Sequence, residues 1–118
     1  MIQIEVPGSA PALGPYSKGM VAGNFVFTSG QIGTSAGPEL QAQAEAACKA
    51  VGAVLNAGGV GFENVVKTTC FLADIADFAA FNEVYAKYFV SKPARSCFAV
   101  KDLPGGALCE IEAIAIKE

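Results

Sequence analysis

Two apolar stripes at helical spacing, separated by a run of β-branched residues, leave this chain few architectures. Leu40, Ala44, Ala47, Val51, Val54 and Leu55 recur at intervals of three and four, while Gln41, Gln43, Glu45 and Lys49 fall outside the stripe. Gly37-Pro38-Glu39 opens this helix, with Pro in the first turn and an acid near the positive end of the dipole. Asn56-Ala57-Gly58-Gly59 closes it. The second stripe is Phe78, Phe81, Tyr85, Tyr88 and Phe89, all expected in the core. Asp74 and Asp77 are candidate N-caps ahead of it, and Lys92-Pro93 stops it. Between the stripes, residues 65–72 (VVKTTCFL) read as a strand.

The remaining strands follow from alternation and turn chemistry. Residues 2–6 alternate apolar and polar. Residues 18–22 and 24–29 flank Gly23, a hairpin signal, and Phe25-Val26-Phe27-Thr28 is aromatic and β-branched enough for an interior strand. Two more strands are read in residues 93–97 and 109–114. The order β-β-β-α-β-α-β-β predicts a single α+β domain over residues 1–118, one mixed sheet with both helices on the same face. No third helix exists to hide the other face, which is left to solvent or to other subunits. Composition favours the second outcome. The chain is 53% hydrophobic and 16% charged over 118 residues, with mean hydropathy +0.42, more apolar than the surface of so small a domain should tolerate.

Several function classes drop out. Net charge is −3 and no basic run occurs, which argues against nucleic acid as a partner. There is no histidine, so Ser-His-Asp and Cys-His catalysis and zinc-histidine sites are excluded, and acid-base work falls to carboxylates, Tyr, Lys, Cys, backbone or water. The four cysteines (Cys48, Cys70, Cys97, Cys109) form no CxxC pair, and no signal-peptide pattern or 18-residue apolar run is present. A cytoplasmic protein without disulfides, metal or membrane span is the expectation.

The chemistry concentrates in Pro93-Ala94-Arg95-Ser96-Cys97 and Cys109-Glu110-Ile111-Glu112-Ala113-Ile114. Residues two apart in a strand share a face, so Arg95 pairs with Cys97 and Glu110 with Glu112. The Pro- and Gly-rich residues 101–107 suit a hairpin or another tight connection, which sets Cys97 opposite residue 110 or 111; a one-residue slip flips the carboxylates to the other face. Arg95 and Glu110 are expected in one small-molecule site, the competing reading being a structural ion pair. Tyr16 follows the rigid loop 7–15 and either offers its hydroxyl to a site or packs the loop down. Ser29-Gly30 ends a strand, giving either a hydroxyl beside an approachable N–H or an ordinary turn.

Read in order, Gly14-Pro15-Tyr16-Ser17-Lys18-Gly19, Thr28-Ser29-Gly30-Gln31-Ile32, Val66-Lys67-Thr68-Thr69, Pro93-Ala94-Arg95-Ser96-Cys97 and Glu110-Ile111-Glu112-Ala113-Ile114-Ala115 resemble the RidA (YjgF) family over essentially the whole chain. The resemblance implies a chorismate-mutase-like fold and a homotrimer with an inner barrel and sites between subunits. It implies a cofactor-independent deaminase that hydrolyses 2-aminoacrylate, 2-iminopropionate and 2-iminobutyrate to 2-keto acids and ammonia. It assigns Arg95 to the substrate carboxylate and Glu110 to the attacking water. Tyr16, Ser29, Gly30 and Cys97 would line the site, Cys97 mainly through its backbone. The chain departs from the pattern at Gly33 and in the short Val90-Ser91-Lys92 approach to Pro93, which bears on side-chain preference. A non-catalytic carboxylate-binding regulator, or a chaperone-like protein, on the same fold is the alternative.

Overall fold

Both apolar stripes find the same sheet face. The computed structural model describes residues 1–118. Its strands are β1 (Ile2–Ile4), β2 (Gly19–Ala22), β3 (Phe25–Thr28), β4 (Val65–Leu72), β5 (Ala94–Ala99) and β6 (Cys109–Ile116), and its helices α1 (Leu40–Ala57) and α2 (Phe78–Tyr88). They form one six-stranded sheet in the order β1-β2-β3-β6-β4-β5. Only β4–β5 is parallel, so the sheet is mixed. The core lies between the sheet and the helices and gathers Val26, Val51, Leu55, Leu72, Phe81 and Ile111. Cys48, Cys70 and Cys109 are fully buried there as small apolar residues. Glu45 of α1 clamps α2 by pairing with Lys87 and accepting from the Tyr88 hydroxyl.

The expected hairpin between the last two strands does not form. β4 stands between β5 and β6, parallel to the first and antiparallel to the second. The reason is the crossover. A strand reached through a helix returns parallel to the strand it left, so α2 delivers β5 to one edge of β4. β6 must then take the other edge. Residues 101–108 step over the end of β4 to do so, tied down by Val100 N–H to Leu72 O (2.9 Å) and Ala73 N–H to Leu108 O (3.0 Å). Cys97 is level with Ile111, as one of the two registers required, but through Cys70 rather than directly.

The aromatic stripe of α2 is also only partly core. Phe81, Val84 and Phe89 are buried, but Phe78 is exposed and Tyr85 and Tyr88 are half-buried. β5 is the edge of the sheet, and Phe78 and Tyr85 lie over its Arg95 there. Pro38 and Glu39 precede α1, with Glu39 at the cap position, and Asp74 accepts the Ala76 N–H at 2.9 Å to cap the short turn before α2. The second sheet face carries no helix. Phe25 and Phe27 lie opposite Ile116 and Ile114 there, and Phe71 meets Phe98 edge-on at 5.5 Å.

The ladder between β3 and β6 is interrupted once. Phe27 pairs with Ile114, but the next pairing is Gln31 with Ile111. Three residues intervene on one side and two on the other, so Thr28, Ser29 and Gly30 form a bulge. The Thr28 hydroxyl fills the gap by accepting the Ala113 N–H at 3.0 Å in a buried position. Thr28→Val keeps the shape and strands that donor. We expect it to lower the unfolding free energy by about 1–3 kcal/mol in denaturant titrations at fixed protein concentration; an unchanged midpoint would show that another acceptor replaces the hydroxyl.

Candidate active site

The bulge presents one group of polar atoms. Ser29 donates its N–H to Lys18 O (2.8 Å) and its hydroxyl to Ser17 O (2.5 Å), and its carbonyl accepts from Gln31 Nε2 (3.1 Å). Gly30 lies against the Glu110 side chain so closely that a Cβ there would collide with Oε2. Only glycine lets that carboxyl rest on the bulge backbone. Burial pushes the Glu110 carboxyl above the ordinary range, and the Glu112 carboxylate on the same face adds to the shift. Tyr16 is half exposed and lines a shallow cleft of about 220 Å³ with Ser17, Met20, Phe27 and Ser29. Its hydroxyl accepts the Leu13 N–H at 3.4 Å, so the ring also packs against its own loop, as the loop-packing reading requires.

Arg95 occupies a different environment. Its guanidinium carbon lies 4.7 Å from the Tyr85 ring centroid and 5.5 Å from that of Phe78. Tyr85 in turn stacks on buried Phe89 at 4.4 Å with 18° between planes, and its hydroxyl shares a 2.7 Å hydrogen bond with Thr68 Oγ1. The result is a three-layer stack of guanidinium, phenol and phenyl. No carboxylate pairs with Arg95, since the single ion pair of the chain joins Lys87 and Glu45. The structural ion pair weighed for Arg95 and Glu110 is thus absent. Arg95 opens on a cleft of about 420 Å³ with Tyr85, Phe89, Val90, Lys92 and Pro93. Cys97 faces the core, packed against its buried residues. Burial raises its thiol pKa, opposed more weakly by Arg95, so the group is a thiol and not a ready nucleophile.

Sheet register places these two groups on opposite faces. Arg95 is level with Thr68, and Thr68 with Ala113 on the helix-covered face. Glu110 is three residues from Ala113 along β6 and so points the other way. Within one chain the bulge gathers Ser29, Gly30 and Glu110 beside Tyr16, while Arg95 stands apart across the sheet. Sequence reasoning did not find the Tyr85 stack. Its signal was present, a Tyr on the α2 stripe, but nothing in the spacing sets which ring overhangs the sheet edge. No group of three or more His, Cys, Asp or Glu residues is placed to hold a metal ion.

The mixed sheet with two helices on one face matches solved structures of the RidA/YjgF family. Escherichia coli TdcF with bound serine superposes with a TM-score of 0.93 at 37% identity, covering all of both chains. The YjgF gene product of E. coli gives 0.91 at 36%, again over both full chains. The chain belongs to the RidA/YjgF family, whose sequence model, described as Endoribonuclease L-PSP, matches residues 7–117. The human 2-iminobutanoate/2-iminopropanoate deaminase is 45% identical over 120 residues, which is 96% of this chain and 85% of the human one.

The Glu110 environment predicts a stability signature. Its folded pKa lies above the unfolded value, so the charged form costs stability above the folded pKa, and that cost fades as pH falls to the ordinary carboxylate range. Glu110→Gln should therefore raise the thermal midpoint at pH 7, and the gain should vanish near pH 4.5, the ordinary value. A gain independent of pH would mean that burial does not hold the carboxyl up. Tyr85→Leu should free the guanidinium and weaken binding of a small 2-keto acid about tenfold, the effect of losing a desolvated cation–π contact of about 1.4 kcal/mol, read by calorimetry against Tyr85→Phe, which keeps the stack.

Proposed function

We propose that this protein hydrolyses reactive 2-imino acids and their enamine tautomers, including 2-aminoacrylate, 2-iminopropionate and 2-iminobutyrate, to 2-keto acids and ammonia. The observation that carries this reading is the unpaired Arg95 guanidinium, stacked on Tyr85 at an open cleft. A planar fork with no internal partner suits a ligand carboxylate. The names of relatives such as the human deaminase support the chemistry.

The division of the site between two sheet faces bears on assembly. Arg95 and Glu110 of one chain cannot grip one small molecule through the sheet. We therefore read the working unit as a homotrimer, in which the uncovered aromatic faces close an inner barrel and the β5 edge of one copy meets the bulge of the next. The substrate carboxylate binds Arg95. Water beside Glu110 adds to the carbon of the protonated imine as one water proton passes to the carboxylate, giving a carbinolamine. The carboxyl returns that proton to the nitrogen, and as the C–N bond breaks to release ammonia the carboxylate takes the hydroxyl proton and the carbonyl forms. A carboxyl whose pKa is raised is a stronger base than an ordinary one, and such assistance contributes about 10²–10⁴ in rate. Tyr16, Ser29 and Gly30 complete the polar wall, and Cys97 contributes through the backbone of the edge strand.

The family description speaks of an endoribonuclease. A histidine-dependent RNA cleavage is ruled out by the sequence itself, which contains none.

The test generates 2-iminobutyrate in situ with a threonine dehydratase and follows its loss in competition with semicarbazide. The protein should accelerate imine loss, and Arg95→Ala should lower kcat/KM by about 10²-fold or more, two charge-assisted hydrogen bonds being removed. Equal rates in both proteins would reject the clamp. Saturable 2-keto acid binding with no imine turnover would instead favour a carboxylate-binding regulator. The kcat/KM profile should fall on the acid side with a limb above pH 4.5, the ordinary carboxylate value, and Glu110→Gln should remove that limb.

A further inference from the structure

The Arg95 cleft holds a second cation that imine hydrolysis does not use. Lys92 lines the same cleft of about 420 Å³. Neither Lys92 nor Arg95 has a carboxylate partner in the chain. No acid lines the cleft, although the chain carries 11 acidic residues against 8 basic ones. Two uncompensated positive charges in one recess of an acidic protein make a local field that favours a doubly charged anion.

The backbone at Lys92 strengthens this reading. It is the only non-glycine residue of the chain with positive φ, at 51°. A β-carbon is strained in that region, where glycine would be relaxed. The conformation is imposed from both sides. Lys92 N–H donates to Phe89 O at 3.1 Å, the Ser91 hydroxyl donates to Val65 O at 2.7 Å, and Pro93 fixes the chain beyond. Phe89, the anchor of this turn, is also the buried base of the stack that carries Arg95. Lysine and arginine are thus presented to one recess by one rigid turn. An ammonium on a flexible stem suits a carboxylate whose position varies with chain length.

Resting on the imine-hydrolysis reading, we propose that the preferred substrates are dicarboxylic 2-imino acids, with the α-carboxylate on Arg95 and the side-chain carboxylate on Lys92. Water replaces the imine nitrogen, giving a 2-keto dicarboxylic acid and ammonia. Enzymes that oxidise acidic amino acids to their imines are the class of reaction that supplies such substrates.

The experiment compares 2-iminoglutarate, made in situ from L-glutamate by an L-glutamate oxidase with catalase present, with 2-iminobutyrate from threonine. We expect kcat/KM to favour 2-iminoglutarate about tenfold, the effect of one charge-assisted contact. Lys92→Met retains the β-carbon, and so the backbone strain, and should bring the ratio to about one; Lys92→Arg should keep it. A ratio at or below one in the unmodified protein, or an unchanged ratio in Lys92→Met, overturns the proposal. If neither imine is turned over, the deaminase reading fails, and calorimetry with 2-oxoglutarate and 2-oxobutyrate decides whether the cleft prefers two carboxylates. A preference of about tenfold for 2-oxoglutarate that Lys92→Met abolishes supports the proposal, and equal affinities overturn it.

Discussion

The pairing of β4 with a parallel neighbour on one edge and an antiparallel one on the other governs the molecule. It sets Thr68 level with both Arg95 and Ala113, and Phe71 level with both Phe98 and Glu110. From that register alone the guanidinium goes to the helix-covered face and the carboxyl to the bare face. A shift of one residue in either pairing would bring them to the same side. The crossover through α2 fixes the parallel edge, and the bonds of Ala73 and Val100 fix the path over the strand end.

Each half of the candidate site is then held by contacts that leave its reactive group free. The guanidinium rests on Tyr85, which is fixed by Phe89 below and Thr68 at its hydroxyl. These contacts satisfy the flat faces of the fork and leave its N–H edge open, which is the edge a carboxylate uses. The Glu110 carboxyl rests on Gly30 in a bulge whose missing ladder bond is supplied by Thr28. It is partly desolvated and close to a like charge, a combination that raises its pKa and makes it a stronger base than an ordinary carboxylate.

Element types were legible from sequence because they rest on short-range physics. The α1 stripe, the Gly58-Gly59 stop, the Gly23 hairpin and the β-branched run of β4 each declare themselves within a few residues. The separation of Arg95 from Glu110 onto opposite faces was not legible in the same way. Alternation shows which residues share a face of one strand, but which faces of two strands coincide depends on what lies between them, and here β4 does. The Tyr85 stack was hidden for a related reason, since an aromatic helical stripe looks like core until the edge of the sheet is known. The serine-proline-glycine character around Tyr16, Ser29 and Gly30 marked loops without revealing that one of them is a bulge against Glu110. The Val90-Ser91-Lys92 departure drew attention to this approach, but the positive φ of Lys92 gave no signal, because it follows from tertiary anchoring and not from its side chain.

Mixing two impaired variants tests the divided site most directly. Arg95→Ala and Glu110→Gln, each strongly impaired alone, are unfolded together, refolded and assayed for imine hydrolysis. If the arginine and the carboxyl of a site come from neighbouring copies, random assembly restores about one quarter of the sites, and activity should return to that fraction of the unmodified protein. Activity that stays at the level of the separate variants, with mixed oligomers demonstrated by mass spectrometry, would contradict the account.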